Sequence, residues 1–493
     1  MGIIQQQTIK GTIYSYLGVF VGAISINIIQ PHALTTEQIG LTGILISFST
    51  MFAQFSTLGF SGTSRYFPYF RSEENKHHGY LFLFCLIALI GTVLFTVALY
   101  LFKSDIISED SQKSPLFEEY FWYFIPLIFF TVYFNVFDLY ARLLYNSISG
   151  KILREFTKRL LIMLVILLIY FKLVSFNWFM ILWLVANIVP TLILAGRLVV
   201  NKQFFFKPDF KFLEKDMKRK LTNISLLGML TGSLPIIVEN IDKYIINQKY
   251  GLSDTGIYTI AFFFATIITL PSRSLSGIAT TVVAESWKSN DTENIKMVYK
   301  KSCINQLIAA LFLFIIIWAN VDNFFTFLPQ YKTGKYVVLF IGIGNLIDSA
   351  TGVNSIILNT SKYYKYDGLF YLPVICITIL GNLWLTPIYG LAGAAIATAF
   401  AFLCFNVFRY VFIYRMFKMQ PFTLKNLYTL AVGLLVYALS VYLIPQGENY
   451  IIDTFIRTGF ITLLYWVSIY SIKASDDINL LFKGYIVKLK SKG

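Results

Sequence analysis

Long apolar runs alternate with short polar connections along almost the whole chain. Each run is about 18–28 residues long, and an α-helix needs about 20 residues to cross a bilayer. The pattern predicts an all-α polytopic membrane protein with about 14 transmembrane helices. The predicted spans lie near 11–31, 38–64, 79–102, 120–141, 157–174, 177–197, 221–247, 254–284, 299–319, 335–358, 366–387, 390–414, 424–444 and 450–472.

Composition supports this interpretation. The 493 residues are 56% hydrophobic and 14% charged, and the mean hydropathy is +0.65. A soluble domain would need a more highly charged solvated face. The net charge of +15 raises the question of a nucleic-acid partner. However, the basic residues lie in short connections between apolar runs, which is typical of membrane proteins, so no nucleic-acid partner is expected.

Lysine and arginine are concentrated in alternate connections. The connections assigned to the outer side hold Lys103, Lys113, Lys172, Lys249, Lys332 and Lys335. The inner set is much larger and includes Arg65, Arg142, Arg154, Lys211, Arg409 and Lys492. Because positively charged loops stay on the cytoplasmic side, both termini are predicted to be cytoplasmic.

Several segments of the first half recur at a nearly constant spacing in the second half. The matching pairs are Asn135–Asp138 with Asn345–Asp348, Gly18–Gly22 with Gly228–Gly232, and Glu37–Gly62 with Asp254–Gly277. Small glycine patches of this kind let neighbouring helix backbones approach closely. The recurrence predicts two pseudo-symmetric six-helix lobes, with two further helices at the C-terminal end.

This repeat divides the chain into four parts. They are an N-lobe (1–205, helices 1–6), a cytoplasmic amphipathic linker (206–220), a C-lobe (221–415, helices 7–12), and helices 13–14 with a basic cytoplasmic tail (416–493). The linker is basic and amphipathic. It is therefore expected to lie on the anionic inner leaflet.

Four runs resemble bacterial polysaccharide flippases, the oligosaccharidyl-lipid branch of the multidrug/oligosaccharidyl-lipid/polysaccharide (MOP) exporter superfamily. They are GTIYSYLGVFVGAI, LTTEQIGLTGILISFSTMFAQFSTLGFSGTSRYFPYF, NIDKYIINQKYGLSDTGIYTIAFFFATIITLPSRSLSGIATTVV and LTPIYGLAGAAIATAFAFL. The resemblance implies two lobes around a central cavity that opens alternately to either side of a bacterial inner membrane. It further implies a polyprenyl-diphosphate-linked oligosaccharide as substrate, such as an O-antigen, capsule or exopolysaccharide repeat unit.

Other functions remain open at this point. The alternatives are a multidrug/cation antiporter of the same superfamily, a lipid II flippase, and a membrane glycosyltransferase or polymerase. An enzyme is not expected, because the longest outer connection, Lys103–Glu119, is small for a catalytic loop. No Walker A loop is present, and no cofactor is expected; H⁺ or Na⁺ coupling stays open. Membrane lipids and a polysaccharide polymerase or glycosyltransferases are the expected partners.

The stretch Gly334–Lys362 combines an apolar run with polar residues at helical spacing. They are Asn345, Asp348, Gly352, Ser355 and Asn359, which would share one face of a continuous helix. A carboxylate near the middle of a membrane helix costs about 2.5–3.5 kcal/mol on insertion scales, so it normally faces protein or water. Asp348 is therefore predicted to line the substrate cavity or to couple an ion, and Asn345 and Asn359 are predicted to line the same cavity.

The matching Asn135 and Asp138 have the same two interpretations, with one addition. Asp138 can instead form an i,i+4 ion pair with Arg142 that only holds helices together. Arg65 and Arg273 lie at roughly equivalent repeat positions. Their guanidinium groups suit a diphosphate, and the alternative is that the long side chains reach the inner headgroups. For Arg273, which lies deeper in its helix just after Pro271, the substrate pathway is favoured.

Three charged residues lie close together toward the outer end of the seventh helix. Glu239 and Lys243 are predicted to neutralise each other at i,i+4, and the alternative is that they form a gate or a cation site with Asp242. Asp453 and Arg457 in the last helix are predicted to form a purely structural pair.

Neither the histidines nor the cysteines form a catalytic or metal-binding pattern. His77 and His78 are expected on a solvated face, and the four cysteines, Cys85, Cys303, Cys376 and Cys404, are expected to be small core residues.

Overall fold

The computed structural model describes residues 3–107, 115–210 and 212–490, and these residues form helices joined by short connections. Lys113, Lys211 and Lys492, which were assigned to connections and to the tail, lie outside the described residues. The main helices are α1 (Ile3–Ile24), α2 (Thr36–Ser56), α3 (Tyr80–Leu101), α4 (Phe124–Leu143), α5 (Lys158–Tyr170), α6 (Phe176–Val200), α7 (Lys215–Tyr250), α8 (Leu252–Thr266 and Leu270–Lys288), α9 (Thr292–Ala319), α10 (Lys335–Ala350 and Asn354–Thr360), α11 (Tyr364–Tyr389), α12 (Leu391–Phe417), α13 (Leu424–Leu443), α14 (Tyr450–Ser471) and α15 (Asp476–Lys490).

Short helical segments extend or connect these helices. Ser25–Ile29 and Gln30–Ala33 continue α1, Ile148–Ile152 and Leu153–Thr157 lead into α5, and Ile267–Thr269 joins the two parts of α8. The remaining short segments are Phe60–Tyr66, Phe67–Phe70, Lys76–Gly79, Lys103–Ile106, Pro115–Glu119, Phe121–Tyr123, Val321–Phe327 and Pro329–Gly334.

The helices have the lengths and composition of membrane spans. Within the described residues, 11 helices are long and apolar enough to cross a bilayer, or 12 when the two parts of α10 count as one bent span. The predicted spans at 157–174 and 221–247 are helical too, as α5 and α7. The prediction of an all-α polytopic membrane protein is confirmed.

Contacts divide the chain into two compact units, Met1–Thr259 and Ile260–Gly493. In the first unit, α2 packs against α3, α4 and α7, and α6 packs against α4 and α5. In the second unit, α12 packs against α10 and α11, while α9 contacts α10, α13 and α14. α7 begins at Lys215, so the predicted linker (206–220) already contains its first turn.

Within the first unit, two glycines of matching repeat segments pack against each other's helices. A β-carbon at Gly40 would lie 1.9 Å from the Leu252 carbonyl oxygen, and one at Gly256 would lie 1.9 Å from the Thr36 carbonyl oxygen. The hydroxyls of Thr36 and Ser253 lie 2.7 Å apart beside them. The contact is reciprocal, as a two-fold relation between repeated segments predicts, and the predicted close approach at these glycines is confirmed.

The two adjacent histidines are covered by Phe205 and by the linker residue Phe212. His77 is only 3% exposed, and its ring packs against Phe205. The His78 ring stacks on Phe212 at 3.9 Å between centroids, and its Nδ1 atom lies 2.9 Å from an Asp209 carboxylate oxygen. The prediction of a solvated histidine face is wrong, because Phe205 and the linker residue Phe212 fold back onto this turn.

The cysteines do not all behave as core residues. Cys85 and Cys303 are buried, as predicted. Cys376 is exposed on α11 and Cys404 is only half-buried on α12, so the prediction is wrong for Cys376. Both lie on helices whose outer faces would meet lipid, where a small apolar side chain needs no protein cover.

α15 is attached to α9 through a carboxylate. Asp477 accepts hydrogen bonds of 3.0 Å from Lys301 and from Asn305. Burial alone would raise the pKa of Asp477, but these two donors outweigh it and hold the pKa below its ordinary value. The Asp477 carboxylate therefore remains charged near neutral pH and holds the start of α15 in place.

Candidate functional site

α10 is broken where the sequence predicts a continuous helix. The first part ends at Ala350, the second begins at Asn354, and the two are bent by 55°. Gly352 has φ +66° in the turn between them. The prediction that five polar residues share one helical face is therefore wrong, because Ser355 and Asn359 lie on a separately oriented segment.

The turn is fixed by contact with α9. A β-carbon at Gly352 would lie 2.7 Å from the Ser302 hydroxyl oxygen and 2.8 Å from the Cys303 backbone nitrogen. The Val353 backbone N–H donates to the same Ser302 hydroxyl at 3.3 Å. Glycine is required here both by the left-handed backbone and by the close approach to α9.

A polar network assembles at the break around Asn406 of α12. The Asn406 Nδ2 atom donates to the Asp348 carboxylate at 3.1 Å. Its Oδ1 atom accepts from the Thr351 hydroxyl at 2.7 Å and from the Asn354 amide at 2.8 Å. Asn406 and Asn354 are each 2% exposed, whereas Asp348 is exposed. The network therefore presents a single carboxylate at its open end.

One helical turn further along α12, Arg409 forms a buried ion pair with Asp367 of α11. The Nε and Nη2 atoms of Arg409 lie 2.7 Å and 3.1 Å from the two carboxylate oxygens of Asp367, and the guanidinium lies 3.7 Å from the Phe405 ring centroid. Both charged residues are buried. This two-point geometry with an aromatic face is among the strongest ways to hold an arginine in an apolar environment.

Arg273 and Asp348 lie on neighbouring helices of the second unit. The hydroxyl of Ser272, next to Arg273, donates to the hydroxyl of Ser349, next to Asp348, at 3.0 Å. Arg273 is exposed and makes no hydrogen bond or ion pair with any described residue. The second unit thus presents an exposed cation and an exposed carboxylate from α8 and α10.

Asn345 and Asn359, which were predicted for the cavity, have different environments. Asn345 is buried, and its amide donates to the Ala265 carbonyl oxygen at 3.0 Å, so it connects α10 to α8 where α8 is interrupted. Asn359 is exposed on the second part of α10.

In the first unit, Asp138 forms the ion pair predicted with Arg142, at 3.4 Å. A second arginine, Arg154, lies 3.2 Å from the same oxygen and also donates to Asn135 at 3.0 Å. Asp138 is buried, whereas the side chains of both arginines are about half exposed. Although Asp138 and Asp348 occupy matching sequence positions, one is held between two arginines and the other by an amide.

The remaining predicted residues of the first unit are Arg65 and three neighbouring residues of α7, Glu239, Asp242 and Lys243. Arg65 is exposed in the short helix Phe60–Tyr66. Asp242 is buried and accepts a 2.5 Å hydrogen bond from the Tyr258 hydroxyl. Lys243 donates to Ser47 at 3.0 Å, and Glu239 is exposed. Asp242 and Lys243 therefore connect α7 to α8 and α2.

Sequence reasoning missed Asp367, Asn406 and Arg409. Arg409 was assigned to a cytoplasmic connection, but it lies inside α12 and is paired. A signal was present, because Asp367 and Arg409 are opposite charges inside two consecutive apolar runs. Charges that enter adjacent membrane helices usually pair with each other.

The described helices share their fold with solved structures of a lipid II flippase and of MATE-family transporters. The lipid II flippase MurJ in an inward-closed conformation matches with a TM-score of 0.69 at 15% identity, over 95% of this chain and 98% of that chain. A MATE-family multidrug resistance transporter matches in its inward-facing conformation with a TM-score of 0.61 at 13% identity, over 81% of this chain and 93% of that chain. The outward-facing conformation matches with a TM-score of 0.55 at 12% identity, over 85% and 98%.

No family model matches the chain, and no curated protein matches its sequence. The resemblance to the MOP superfamily that the sequence indicates is confirmed at the level of the fold. Membership of the polysaccharide-flippase branch stays a prediction.

Proposed function

We propose that this protein is a flippase that moves a polyprenyl-diphosphate-linked oligosaccharide from the cytoplasmic to the outer leaflet of a bacterial inner membrane by alternating access. In this proposal both termini are cytoplasmic, residues 1–205 and 221–415 act as lobes joined by the linker 206–220, and residues 416–493 are an addition. The protein acts as a carrier and not as an enzyme.

The observation that carries the proposal is the extent of the likeness to the lipid II flippase MurJ. MurJ matches 95% of this chain, whereas the two MATE conformations match 81% and 85%. The MurJ structure therefore matches parts of this chain that the MATE structures leave unmatched. Because fold alone does not fix function, the site has to support the same conclusion.

The charged groups of the second unit suit such a headgroup. An exposed arginine with no partner among the described residues, Arg273, offers a fork of N–H donors that fits diphosphate oxygens. Protein groups that replace water around the headgroup reduce the cost of carrying a charge through hydrocarbon. Asp348 is the residue through which H⁺ or Na⁺ coupling would act in this proposal.

The rival with structural support is a multidrug extruder, because MATE transporters share the fold. Such a carrier would move organic cations and would not need Arg273. A lipid II flippase is a narrower form of the main proposal, in which the sugar is a cell-wall unit and not a polysaccharide repeat.

The test is reconstitution into proteoliposomes with a fluorescent polyprenyl-diphosphate oligosaccharide, read out by membrane-impermeant quenching of the outer leaflet. Wild-type protein is expected to expose the labelled headgroup on both leaflets, and Arg273→Ala is expected to slow this about tenfold. Lys288→Ala, which removes an exposed cation at the end of the same helix, serves as the control. Transport of an organic cation such as ethidium, with no movement of the labelled lipid, would overturn the proposal in favour of drug extrusion.

A further inference from the structure

A small cleft lies in the second unit where α9, α13 and α14 meet, well away from the break in α10. Its volume is about 180 Å³, and its lining includes Trp318, Asn323, Lys335, Tyr437, Asp453 and Arg457. Lys335 begins α10, and Asp348 lies about 20 Å further along that helix. The predicted topology puts the C-terminal ends of α9 and α13 and the start of α14 on the outer side.

The floor of the cleft is a buried ion pair. Arg457 Nη2 lies 3.0 Å from one carboxylate oxygen of Asp453 and 3.2 Å from the other, as the i,i+4 spacing predicts. The Asn323 amide donates to the same carboxylate, and Arg457 Nη1 donates to the Ser440 carbonyl oxygen at 3.3 Å. Among the described residues, Arg457 Nε has no hydrogen-bond partner. A buried N–H group without an acceptor costs free energy. The floor of the cleft therefore has a hydrogen-bond donor that the described residues leave unused.

The rim of the cleft adds a second ion pair and an aromatic face. Lys335 Nζ lies 2.6 Å from an Asp322 carboxylate oxygen and 5.7 Å from the Trp318 ring centroid. The cleft therefore holds two cations and two carboxylates, already paired with each other. Because these charges already neutralise each other, the cleft has no net charge that would attract a simple anion or a simple cation. The buried ion pair also makes the cleft too polar to favour an acyl chain.

We propose that this cleft binds a neutral sugar unit. A sugar ring offers hydroxyl groups that both donate and accept, which suits paired guanidinium, carboxylate and amide groups, and a C–H face that packs on an aromatic ring. Trp318 and Tyr437 supply such rings, each with a polar edge. The volume of about 180 Å³ leaves room for one sugar ring.

The inference rests on the proposed function in one respect only. If the protein flips a glycolipid, a sugar site at the outer end of α13 and α14 would hold part of the headgroup after it has crossed. Binding of a free sugar does not require transport, so the two proposals can fail separately.

The experiment is calorimetric titration of the purified full-length protein in lipid nanodiscs. The ligands are glucose, N-acetylglucosamine and rhamnose, with glucuronate, inorganic phosphate and glycine betaine as charged comparisons. We expect saturable binding of at least one neutral sugar with a Kd in the millimolar range. Trp318→Leu removes the aromatic face, and Val441→Trp fills the cleft without removing any of its polar groups; each is expected to weaken binding about tenfold or more.

The control is Trp178→Leu, which removes an exposed tryptophan of α6 in the first unit and is expected to bind like wild type. Three results would overturn the inference: no saturable binding of any neutral sugar, binding of charged ligands only, or unchanged binding by a folded Val441→Trp variant. Sugar binding by a protein that fails to flip glycolipid in proteoliposomes would keep this site and reject the proposed function.

Discussion

Replacing Arg409 with leucine is expected to cost about 3–5 kcal/mol of folding stability, because it leaves the Asp367 carboxylate buried without a partner. The side chains of Arg409 and Asp367 are only 7% and 5% exposed, so water cannot take over the lost interaction. The variant should melt far below wild type when the purified protein is heated in detergent and followed by tryptophan fluorescence.

Removing both charges should be far less harmful than removing one. In Arg409→Leu/Asp367→Leu no buried charge is left unpaired, and replacement of a buried pair by apolar side chains is often neutral. Lys301→Leu is the matched control, because it breaks an ion pair whose two side chains are 54% and 39% exposed and should cost about 1 kcal/mol or less. If Arg409→Leu melts with wild type, or the double variant melts no higher than the single one, the buried pair does not stabilise the second unit.

Gly352→Ala is expected to cost about 2–4 kcal/mol, from the combined effects of a strained backbone and a clash. The residue has φ +66°, and the added β-carbon would lie 2.8 Å from the Cys303 backbone nitrogen, which cannot move aside without shifting α9. The measurement is again thermal unfolding of the purified protein.

Substitutions at two further glycines distinguish the effect of backbone strain from the effect of the clash. Gly390 has φ +60° and ψ −139°, a backbone conformation that is essentially restricted to glycine, with nothing within 4 Å of the added β-carbon, so Gly390→Ala should cost only the backbone strain, about 1–3 kcal/mol. Gly277 has neither feature and lies inside the second part of α8, so Gly277→Ala should be neutral or stabilise by up to about 1 kcal/mol. A Gly352→Ala protein that melts no lower than Gly277→Ala would show that neither the backbone nor the contact with α9 fixes the break.

The spans could be predicted because apolar length is the dominant constraint on a chain that crosses lipid. The break in α10 could not. Polar residues at helical spacing indicate a helix, and Gly352 is unremarkable in a membrane helix until its left-handed backbone and its contact with α9 are known. Helix periodicity carries no information about the neighbour that a turn packs against.

The candidate site was only half predictable for a related reason. Asp348 was found because a lone carboxylate in an apolar run is costly, whereas its partner Asn406 is an amide, which a membrane helix tolerates at much lower cost. His77 shows the reverse error. Its charged sequence neighbours suggested solvent, whereas the ring is buried and packs against Phe205, which is distant in sequence. Both errors concern contacts between segments far apart in sequence.

The most direct test of the central claim is the flipping rate of Asp348→Asn protein in the proteoliposome assay. Asparagine keeps the size of the side chain and can still accept from Asn406, but it removes the one charge that the network presents at its open end. The network at the break in α10 is proposed to serve transport, so the initial rate should fall about tenfold or more, while Glu448→Gln in an exposed connection should match wild type. A folded Asp348→Asn protein that moves the labelled lipid as fast as wild type would contradict the account.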